Sequence, residues 1–355
     1  MTVDGQLAGG AASDAARERA KSFLGRSILD RYKVEELVAL GGLAAVFRAR
    51  VIGHGKGEDV ALKILHPDTE QLPELVDRFK REAIAGRHIY HPNVAAVHEV
   101  VQLEDGTWCM VMEYVRGVTL RQLIAQGPMP PMRAAKIARQ IAVGLNAAHD
   151  MGIIHRDIKP LNVMVCPAPG SEDGERDEVV KVIDFGLARV PVDELRVGVE
   201  ANHELTQAGV VMGTMAYLAP EAALGMRSID KRSDLYALGV ILYEMLSGKH
   251  PFDAATPSEM FAKHRKAPVP PIEKRAPGVR VPQTLETLAR KLLEKDPEER
   301  NPNARAVIAA LEAAMREMEE DATGGFLRGW RIVAAAAGVG LMLAAGVAAY
   351  LLAGR

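Results

Sequence analysis

Cysteine is scarce in this chain, and neither sign of charge is in clear excess. The two cysteines among 355 residues, Cys109 and Cys166, lie too far apart for a CxxC metal or redox motif, and two cysteines make no disulfide framework. Lysine and arginine number 44 against 46 aspartate and glutamate residues, a formal net charge of -2. This balance gives no general attraction to nucleic acid, and we expect no nucleic-acid partner.

The amino-terminal segment lacks the apolar run of a secretory signal. Residues 1–26 are rich in alanine and glycine and carry charges between Asp14 and Lys21. We interpret this segment as a flexible leader with one or two helical turns near residues 15–23. The sequence also shows no internal repeat of solenoid length.

The chain does have an ordinary globular composition, with 48% apolar and 25% charged residues, and a length that suits one large two-lobed domain or two smaller ones. Short runs of β-forming residues, separated by Gly-rich or polar turns, fill its first third around one charged helical segment. We therefore predict five antiparallel strands and one helix there. The strands are expected at Tyr32–Leu40, Val46–Val51, Val60–Leu65, Val94–Val101 and Thr107–Tyr114, and the helix at about 73–87.

After Gly117 the pattern changes to helices, interrupted by short β segments near residues 163–165 and 179–183. Pro131 suits the first turn of a helix whose apolar residues recur with helical spacing as far as Met151. Further helices are expected near residues 231–248, 258–265, 284–293 and 304–320.

Residues 155–162, with the sequence HRDIKPLN, hold the densest set of reactive groups. Asp157, Lys159 and Asn162 fall within six positions, and Asp184 of a DFG sequence follows 22 residues after Asn162. Carboxylate and amide oxygens bind a hard divalent cation, and a carboxylate can orient an incoming hydroxyl. The set suits a metal-bound polyphosphate and an acceptor hydroxyl, and it predicts phosphoryl transfer.

Together with three further motifs, these residues resemble the Ser/Thr protein kinase family, in particular its bacterial members of eukaryotic type. The further motifs are VALK at residues 60–63, VMEYV at 111–115 and APE at 219–221. The resemblance covers residues 32–320, which is most of the chain.

The resemblance implies an α+β, two-lobed protein-kinase-like fold. A small antiparallel β lobe with one helix is expected at about residues 31–115, and a larger, mainly helical lobe at about 116–320. The kinase domain as a whole is expected at residues 27–320.

The resemblance also implies an activity, the transfer of the ATP γ-phosphate to Ser or Thr hydroxyls of protein substrates, with autophosphorylation, in bacterial signalling. Asp157 would orient the hydroxyl or act as the base, and Lys159 would lie near the transferring phosphate. Lys63 would neutralise the α- and β-phosphates. Asn162 and Asp184 would ligate Mg²⁺, with Mn²⁺ as another possible ion.

A nucleotide site is implied as well. Glu82 would hold Lys63 extended, with Glu74 as the other candidate. Met112 would be the gatekeeper beside the adenine. The adenine would hydrogen-bond to the backbones of the hinge residues Glu113 and Val115. The implied nucleotide-binding residues are Leu40, Gly41, Gly42, Val46, Ala61, Lys63, Glu82, Met112, Glu113 and Val115.

The chain departs from the family in its Gly-rich loop, whose pattern is GxGxxGxV. Residues 39–46 read ALGGLAAV, so Ala39 and Ala44 stand in place of the first and third glycines. Alanine disfavours a positive φ but keeps the N–H groups that contact phosphate, so we expect weakened ATP affinity at most. Two alternatives stay open: a membrane-anchored pseudokinase acting as a nucleotide-binding scaffold, and a small-molecule phosphotransferase of related fold.

The segment between Asp184 and Glu221 is long, which favours a protein substrate. By resemblance Glu221 pairs with an arginine near the end of the larger lobe, for which Arg300 is the candidate. Asp234 is expected to anchor the 155–162 loop. Arg156 beside Asp157 suggests a phosphate switch, because an arginine fork binds phosphate bidentately. The candidate phosphosites are Thr206 and Thr214.

Residues 332–352 form an uncharged run of 21 residues, long enough as a helix to span roughly 31 Å of bilayer core. Residues 321–331 would be a juxtamembrane linker, whose Arg328 and Arg331 favour a cytoplasmic kinase domain on the inner (cell) membrane with a single membrane pass. Small residues recur every fourth position along one face and would allow a homodimer. They are Ala336, Gly340, Ala344 and Ala348.

Overall fold

The computed structural model describes residues 14–53, 58–66, 73–168, 178–185, 215–225 and 228–323. The chain divides into two compact units, Met1–Leu311 and Glu312–Arg355. All the contacts discussed below lie in the first unit. In the second unit, residues 312–323 are described and are helical.

The first lobe is built on a six-stranded antiparallel sheet with the strand order β1-β2-β3-β4-β6-β5. Five of its strands match the sequence prediction to within three residues at each end, and the short β1 is additional. The strands are β1 Ser27–Ile28, β2 Tyr32–Leu40, β3 Ala44–Val51, β4 Asp59–Leu65, β5 Val97–Gln102 and β6 Trp108–Glu113.

Strand β4 divides its side chains between the two faces of the sheet, as the period of two requires. Leu62 and Ile64 join the core on one face, and Ala61 and Leu65 join a second core on the other. Helix α2, Pro73–Gly86, packs on the Ala61 face. Lys63 lies on this same face, because it reaches Glu82 of α2.

Helix α1, Asp14–Phe23, covers the opposite face of the sheet. Ala20 and Phe23 are buried in the core there, and the Phe23 ring lies 5.7 Å from that of Phe47. Arg19 donates to the Thr107 hydroxyl at 3.0 Å. The helical turns expected near residues 15–23 are present as α1, so the small lobe carries a second helix. From residue 14 onward this segment packs on the sheet.

The larger lobe is organised around helix α5, Lys231–Ser247, in which every residue from Ser233 onward is buried. Asp230 caps its first turn, and Gly248 ends it in the left-handed conformation (φ 70°), which suits a residue without a Cβ. The other helices of this lobe are α3 Leu120–Ile124, α4 Pro131–His149, α6 Pro257–Lys266, α7 Ile272–Arg275, α8 Gln283–Leu292 and the helical residues 304–311.

A small antiparallel sheet, β7 Val118–Thr119, β8 Val163–Pro167 and β9 Glu178–Val182, completes the larger lobe. Residues 155–162 run from α4 into β8, and Asp184 follows β9. Because β8 and β9 are paired along their length, the ends that carry the two motifs are brought together. Val94 also forms a bridge to Val182.

In the portion of the chain that the structure describes, no helix is both long and apolar enough to cross a membrane. The expected span at residues 332–352, with its four small residues, lies outside the described residues. The two candidate phosphosites, Thr206 and Thr214, lie outside them as well.

Candidate active site

The 155–162 loop brings three of the predicted residues into direct contact. Lys159 Nζ donates to Asp157 Oδ2 at 2.7 Å. The Asn162 amide donates to Asp157 Oδ2 at 3.1 Å and to the Asp157 carbonyl at 2.9 Å. A short 3-10 turn over Pro160–Asn162 makes this possible, because it folds Asn162 back toward Asp157.

Asp234 of α5 holds this loop from below, as expected. Its carboxylate is 1% exposed and accepts from the backbone N–H groups of His155 and Arg156, each at 2.8 Å. His149 Nε2 donates to the same carboxylate at 2.8 Å. Arg156 has a φ of 66°, which is unfavourable for a residue with a Cβ, and the bond to Asp234 offsets that strain.

His155 connects the loop to the segment that carries Asp184. The Asp157 N–H donates to its Nδ1 at 3.3 Å, and its Nε2 donates to the Ile183 carbonyl at 3.1 Å. Burial lowers the pKa of His155, against the opposing effect of Asp234, and both bonds fit a neutral ring. The ring also packs on Phe185 at 4.6 Å.

Lys63 of β4 joins the two lobes. Its Nζ lies 2.9 Å from Glu82 Oε1 and 3.0 Å from Asp184 Oδ1, which confirms the predicted Lys63–Glu82 contact. Burial opposes the charge on Lys63, but the two carboxylates outweigh it and raise the pKa of the lysine. Burial also opposes the charge on Asp184, yet Lys63 holds the pKa of that carboxyl below its usual value. The Glu74 side chain lies outside the described residues.

Asn162 and Asp184, the expected metal ligands, are brought together by the backbone. The Ile183 N–H donates to the Asn162 carbonyl at 2.9 Å, so Asp184 directly follows a residue bonded to Asn162. Because the Asn162 amide nitrogen is used by Asp157, its side-chain oxygen is left as an acceptor.

This donor set fits Mg²⁺ bound together with a polyphosphate. Mg²⁺ is typically held by one or two carboxylates plus substrate phosphates rather than by an all-protein cage. The described residues contain no cluster of three or more His, Cys, Asp or Glu side chains suited to a metal. Asp184 and the Asn162 oxygen would hold the ion.

Strand register shows which of the expected nucleotide-binding residues share a face of the sheet, because directly opposite residues share a face. Val46 pairs with Lys63, and Ala61 pairs with Met112. Val46, Ala61 and Met112 accordingly belong to one apolar cluster, on the Lys63 side.

Leu40 does not share that side. It pairs with Ala45 and packs against the cluster on the α1 face, so its side chain lies away from the other expected nucleotide-binding residues. Bulges in β2 between Val34 and Glu36 and between Leu37 and Ala39 shift the alternation, which is why the strand pattern misleads here. Ala39, which pairs with Val46, takes the nucleotide side instead.

Glu113 ends β6, and Val115 follows it in the connection between the lobes. The Glu113 N–H donates to the Ala96 carbonyl at 2.8 Å. Its carboxylate accepts from the Ala96 N–H at 3.2 Å and pairs with Lys181 of β9 at 2.9 Å. The side chain of Glu113 is therefore committed to the protein, and Lys181 is a contributor to the site that sequence reasoning missed.

Asn93 was also missed. Its side-chain amide donates to the Val180 carbonyl at 2.7 Å and to Gln140 at 3.0 Å, and its carbonyl accepts from Val182 at 2.9 Å. These bonds tie the segment after α2 to β9 and α4. The partners lie 47 to 89 positions away (140 − 93 and 182 − 93), so no local pattern indicates them.

The predicted pair of Glu221 and Arg300 is confirmed. Two charge-assisted bonds of 2.7 and 2.8 Å join them, and Ser233 donates to the same carboxylate at 2.6 Å. Glu221 and Arg300 are buried, with exposures of 7% and 3%. Burial opposes the charge on Glu221, but the guanidinium holds the pKa of that carboxyl below its usual range.

Comparison with known proteins agrees with this geometry. The family model described as "Protein kinase domain" matches residues 32–310. The serine/threonine-protein kinase pkn3 of Myxococcus xanthus is 38% identical over 296 residues, which are 83% of this chain and 52% of the relative. The serine/threonine-protein kinase PknB of Mycobacterium leprae is 38% identical over 287 residues, 79% of this chain and 42% of the relative.

The crystal structure of the Mycobacterium tuberculosis PknI kinase domain matches with a TM-score of 0.59 at 23% identity, covering 82% of this chain and 98% of that one. This likeness supports the fold. The chain spans about half, or less, of the length of the two curated relatives. Since the family model covers most of its residues, the chain belongs to the protein kinase family.

Proposed function

We propose that this protein is a serine/threonine protein kinase that transfers the γ-phosphate of ATP to protein hydroxyls in bacterial signalling. One observation carries the proposal: Asp184 contacts Lys63 of the small lobe and follows a residue bonded to Asn162, which contacts Asp157. The groups for nucleotide, metal and acceptor thus form one connected site. The names of the bacterial relatives support Ser and Thr as acceptors.

In this mechanism Asp157 orients the substrate hydroxyl and accepts its proton as the oxygen attacks the γ-phosphorus. The bond from the γ-phosphorus to the bridging oxygen breaks, and ADP leaves. Lys159, already 2.7 Å from Asp157, neutralises charge on the transferring group. Lys63 holds the α- and β-phosphates while Glu82 keeps it in place. A bound divalent ion supplies further charge neutralisation to the phosphates.

The test is incubation of the full chain with ATP labelled at the γ-phosphate and a generic protein acceptor. Asp157→Asn should lower the labelling rate at least about 100-fold, because it removes the proton acceptor. Asp105→Asn, in the β5–β6 turn, is the matched control and should label at the wild-type rate. Phosphoamino-acid analysis should find phosphoserine and phosphothreonine. Equal labelling by wild type and Asp157→Asn would refute the assignment.

The pseudokinase alternative is favoured by one observation, the alanines at positions 39 and 44. Wild-type protein that binds ATP but transfers no label under any metal condition would establish it. The pairing of Ala39 and Ala44 within β-strands counts against it, because neither residue has a positive φ that would call for glycine.

Phosphorylation at Thr206, or otherwise at Thr214, is proposed to order the segment after Asp184. Arg156 supports this: its Nε is buried and has no hydrogen-bond partner in the described part of the chain, which suits a phosphate oxygen. Peptide mapping after incubation with ATP tests the sites. Phosphate found only at other residues would contradict them.

Residues 332–352 are proposed to anchor the kinase in the inner membrane as one helix, with the catalytic domain in the cytoplasm. The uncharged length of the run and the arginines that precede it support this. Membrane fractionation tests it. Equal amounts of wild type and of a 1–325 truncation in the membrane pellet would contradict the anchor.

A homodimer through the small-residue face of that helix is a further proposal, supported by the four-residue spacing that begins at Ala336. Crosslinking in membranes should capture a dimer. Gly340→Ile should reduce it, because a large side chain separates the two backbones. Crosslinking of monomer alone would count against the proposal.

A further inference from the structure

His66 lies just beyond β4, three residues after Lys63, and is 8% exposed. Its ring Nε2 lies 2.8 Å from the Gly41 carbonyl, so that nitrogen donates. Its backbone N–H donates to the Leu43 carbonyl at 2.9 Å. One residue therefore holds two carbonyls of the 41–44 turn, which joins β2 to β3.

The turn has a third internal bond, from the Gly41 N–H to the Ala44 carbonyl at 2.9 Å. The carbonyls of Gly41, Leu43 and Ala44 are thus all directed at protein donors. In a planar trans peptide the C=O and the following N–H point in opposite directions. When His66 fixes the Gly41 carbonyl, it also directs the Gly42 N–H away from His66.

The space beside Gly42 is open. A Cβ built on Gly42 would meet no atom within 4 Å, whereas one on Gly41 would lie 3.3 Å from the Ala44 carbonyl. The same hairpin places Val46 directly opposite Lys63. Gly42, whose N–H points away from His66, therefore borders open space, in a turn continuous with the strand that pairs with the strand of Lys63.

We propose that His66 is a positioning residue for nucleotide phosphate: through the Gly41 carbonyl it orients the 41–42 peptide so that the Gly42 N–H binds a phosphate oxygen of ATP. This inference rests on the proposed nucleotide site but does not require phosphoryl transfer. It explains how a loop with alanine at two of three glycine positions keeps a defined shape. A side-chain hydrogen bond supplies part of the turn geometry.

The role predicts a split between nucleotide parts. Adenine and ribose contact Ala61, Met112 and the connection between the lobes, whereas the turn contacts phosphate only. Loss of the His66 bond should therefore weaken ATP and leave adenosine binding nearly unchanged. A merely structural role would weaken both together.

The experiment measures the Kd of the full chain for Mg²⁺–ATP and for adenosine by calorimetry. His66→Leu and His66→Phe remove the donor, and both should weaken ATP by roughly three- to tenfold while adenosine stays within about twofold. His66→Gln keeps a side-chain N–H donor and should bind ATP within about twofold of wild type. The matched control is His88→Leu, an exposed histidine of the same lobe whose ring bonds the Ile84 carbonyl.

Unchanged ATP affinity in both donor-free variants overturns the proposal. Equal weakening of ATP and adenosine also overturns it, as does His66→Gln behaving like His66→Leu. If His66→Leu does not fold, the ATP and adenosine affinities of His66→Phe alone test the proposal, since its ring fills the space of the histidine ring without donating a hydrogen bond. Wild-type protein that binds ATP without transferring phosphate would refute the kinase assignment and leave this comparison intact.

Discussion

The 155–162 loop and the 41–44 turn, on either side of the nucleotide site, are held in different ways. The loop is fixed by buried groups: Asp234 accepts three hydrogen bonds beneath it, and His155 ties it to the residue before Asp184. The turn is held by three hydrogen bonds, two of them from His66, and Leu43 at its tip is 43% exposed. The groups proposed to perform the chemistry are held at many points, whereas the turn proposed to contact nucleotide phosphate is held at few.

The largest effect should come from breaking the support of the loop. Asp234→Asn keeps the size of the side chain but turns one acceptor into a donor that faces an N–H group. We expect about 3 kcal/mol of lost stability and a fall in kcat of more than about 100-fold, because Arg156 and Asp157 lose their fixed backbone. Urea unfolding and labelled-ATP kinetics measure the two quantities.

Asp230→Asn is the matched control, because Asp230 caps the same helix from an exposed position and asparagine caps equally well. Its stability should stay within about 0.5 kcal/mol of wild type. Wild-type kcat in Asp234→Asn would show that the loop does not depend on this carboxylate.

Acid should destabilise the larger lobe. Burial lowers the pKa of His155, and burial with nearby cations lowers the pKa of His264 to about 3. An unfolded histidine binds a proton near pH 6.5, so below that pH the unfolded chain gains protons that the folded chain does not. Stability should be nearly constant between about pH 7 and pH 8 and fall by up to about 1.4 kcal/mol per pH unit for each histidine below pH 6.5.

Urea unfolding between pH 5 and 8 measures this slope. His264→Gln should reduce it, and the exposed His88→Gln should leave it unchanged. A free energy of unfolding that is flat from pH 7 to pH 5 would contradict the assignment of buried neutral rings.

The smallest effect concerns the turn itself. Ala44 lies in β3 opposite Leu65 and has no positive φ, so its position does not require glycine. Ala44→Gly should cost about 0.5–1 kcal/mol through backbone entropy and change ATP affinity by less than about twofold. Calorimetry of ATP binding is the measurement. A tenfold gain in affinity would mean that the alanine methyl does obstruct phosphate. The ATP affinity would then be limited by a steric clash rather than by the small number of hydrogen bonds that hold the turn.

Sequence predicted the loop better than the turn for a physical reason. Asp157, Lys159 and Asn162 act within six positions, so their pattern is visible in a single stretch, and the strand and helix limits around them follow from periodicity. His66 has no such signature, because its partner is a carbonyl 25 positions away whose direction depends on the shape of the hairpin. The face taken by Leu40 depends on two bulges in β2 that the alternation of side chains does not reveal.

Helix α1 shows a further limit of sequence reasoning. Ala16, Ala20 and Phe23 have helical spacing, but two of the three are alanines, so the pattern is weak by composition alone. The helix matters because it covers one face of the small-lobe sheet, and that contact depends on tertiary structure. Asn93 belongs to the same class, since its three partners lie on two elements of the other lobe.

The burial of α1 has a practical consequence for protein production. A recombinant fragment cut at Tyr32, where the family match begins, would lack Ala20, Phe23 and Ile28. Phe47 and Val34 would then face solvent on an open sheet, a surface that promotes aggregation. Soluble, crystallisable preparations of this kinase domain should therefore start at or before Asp14.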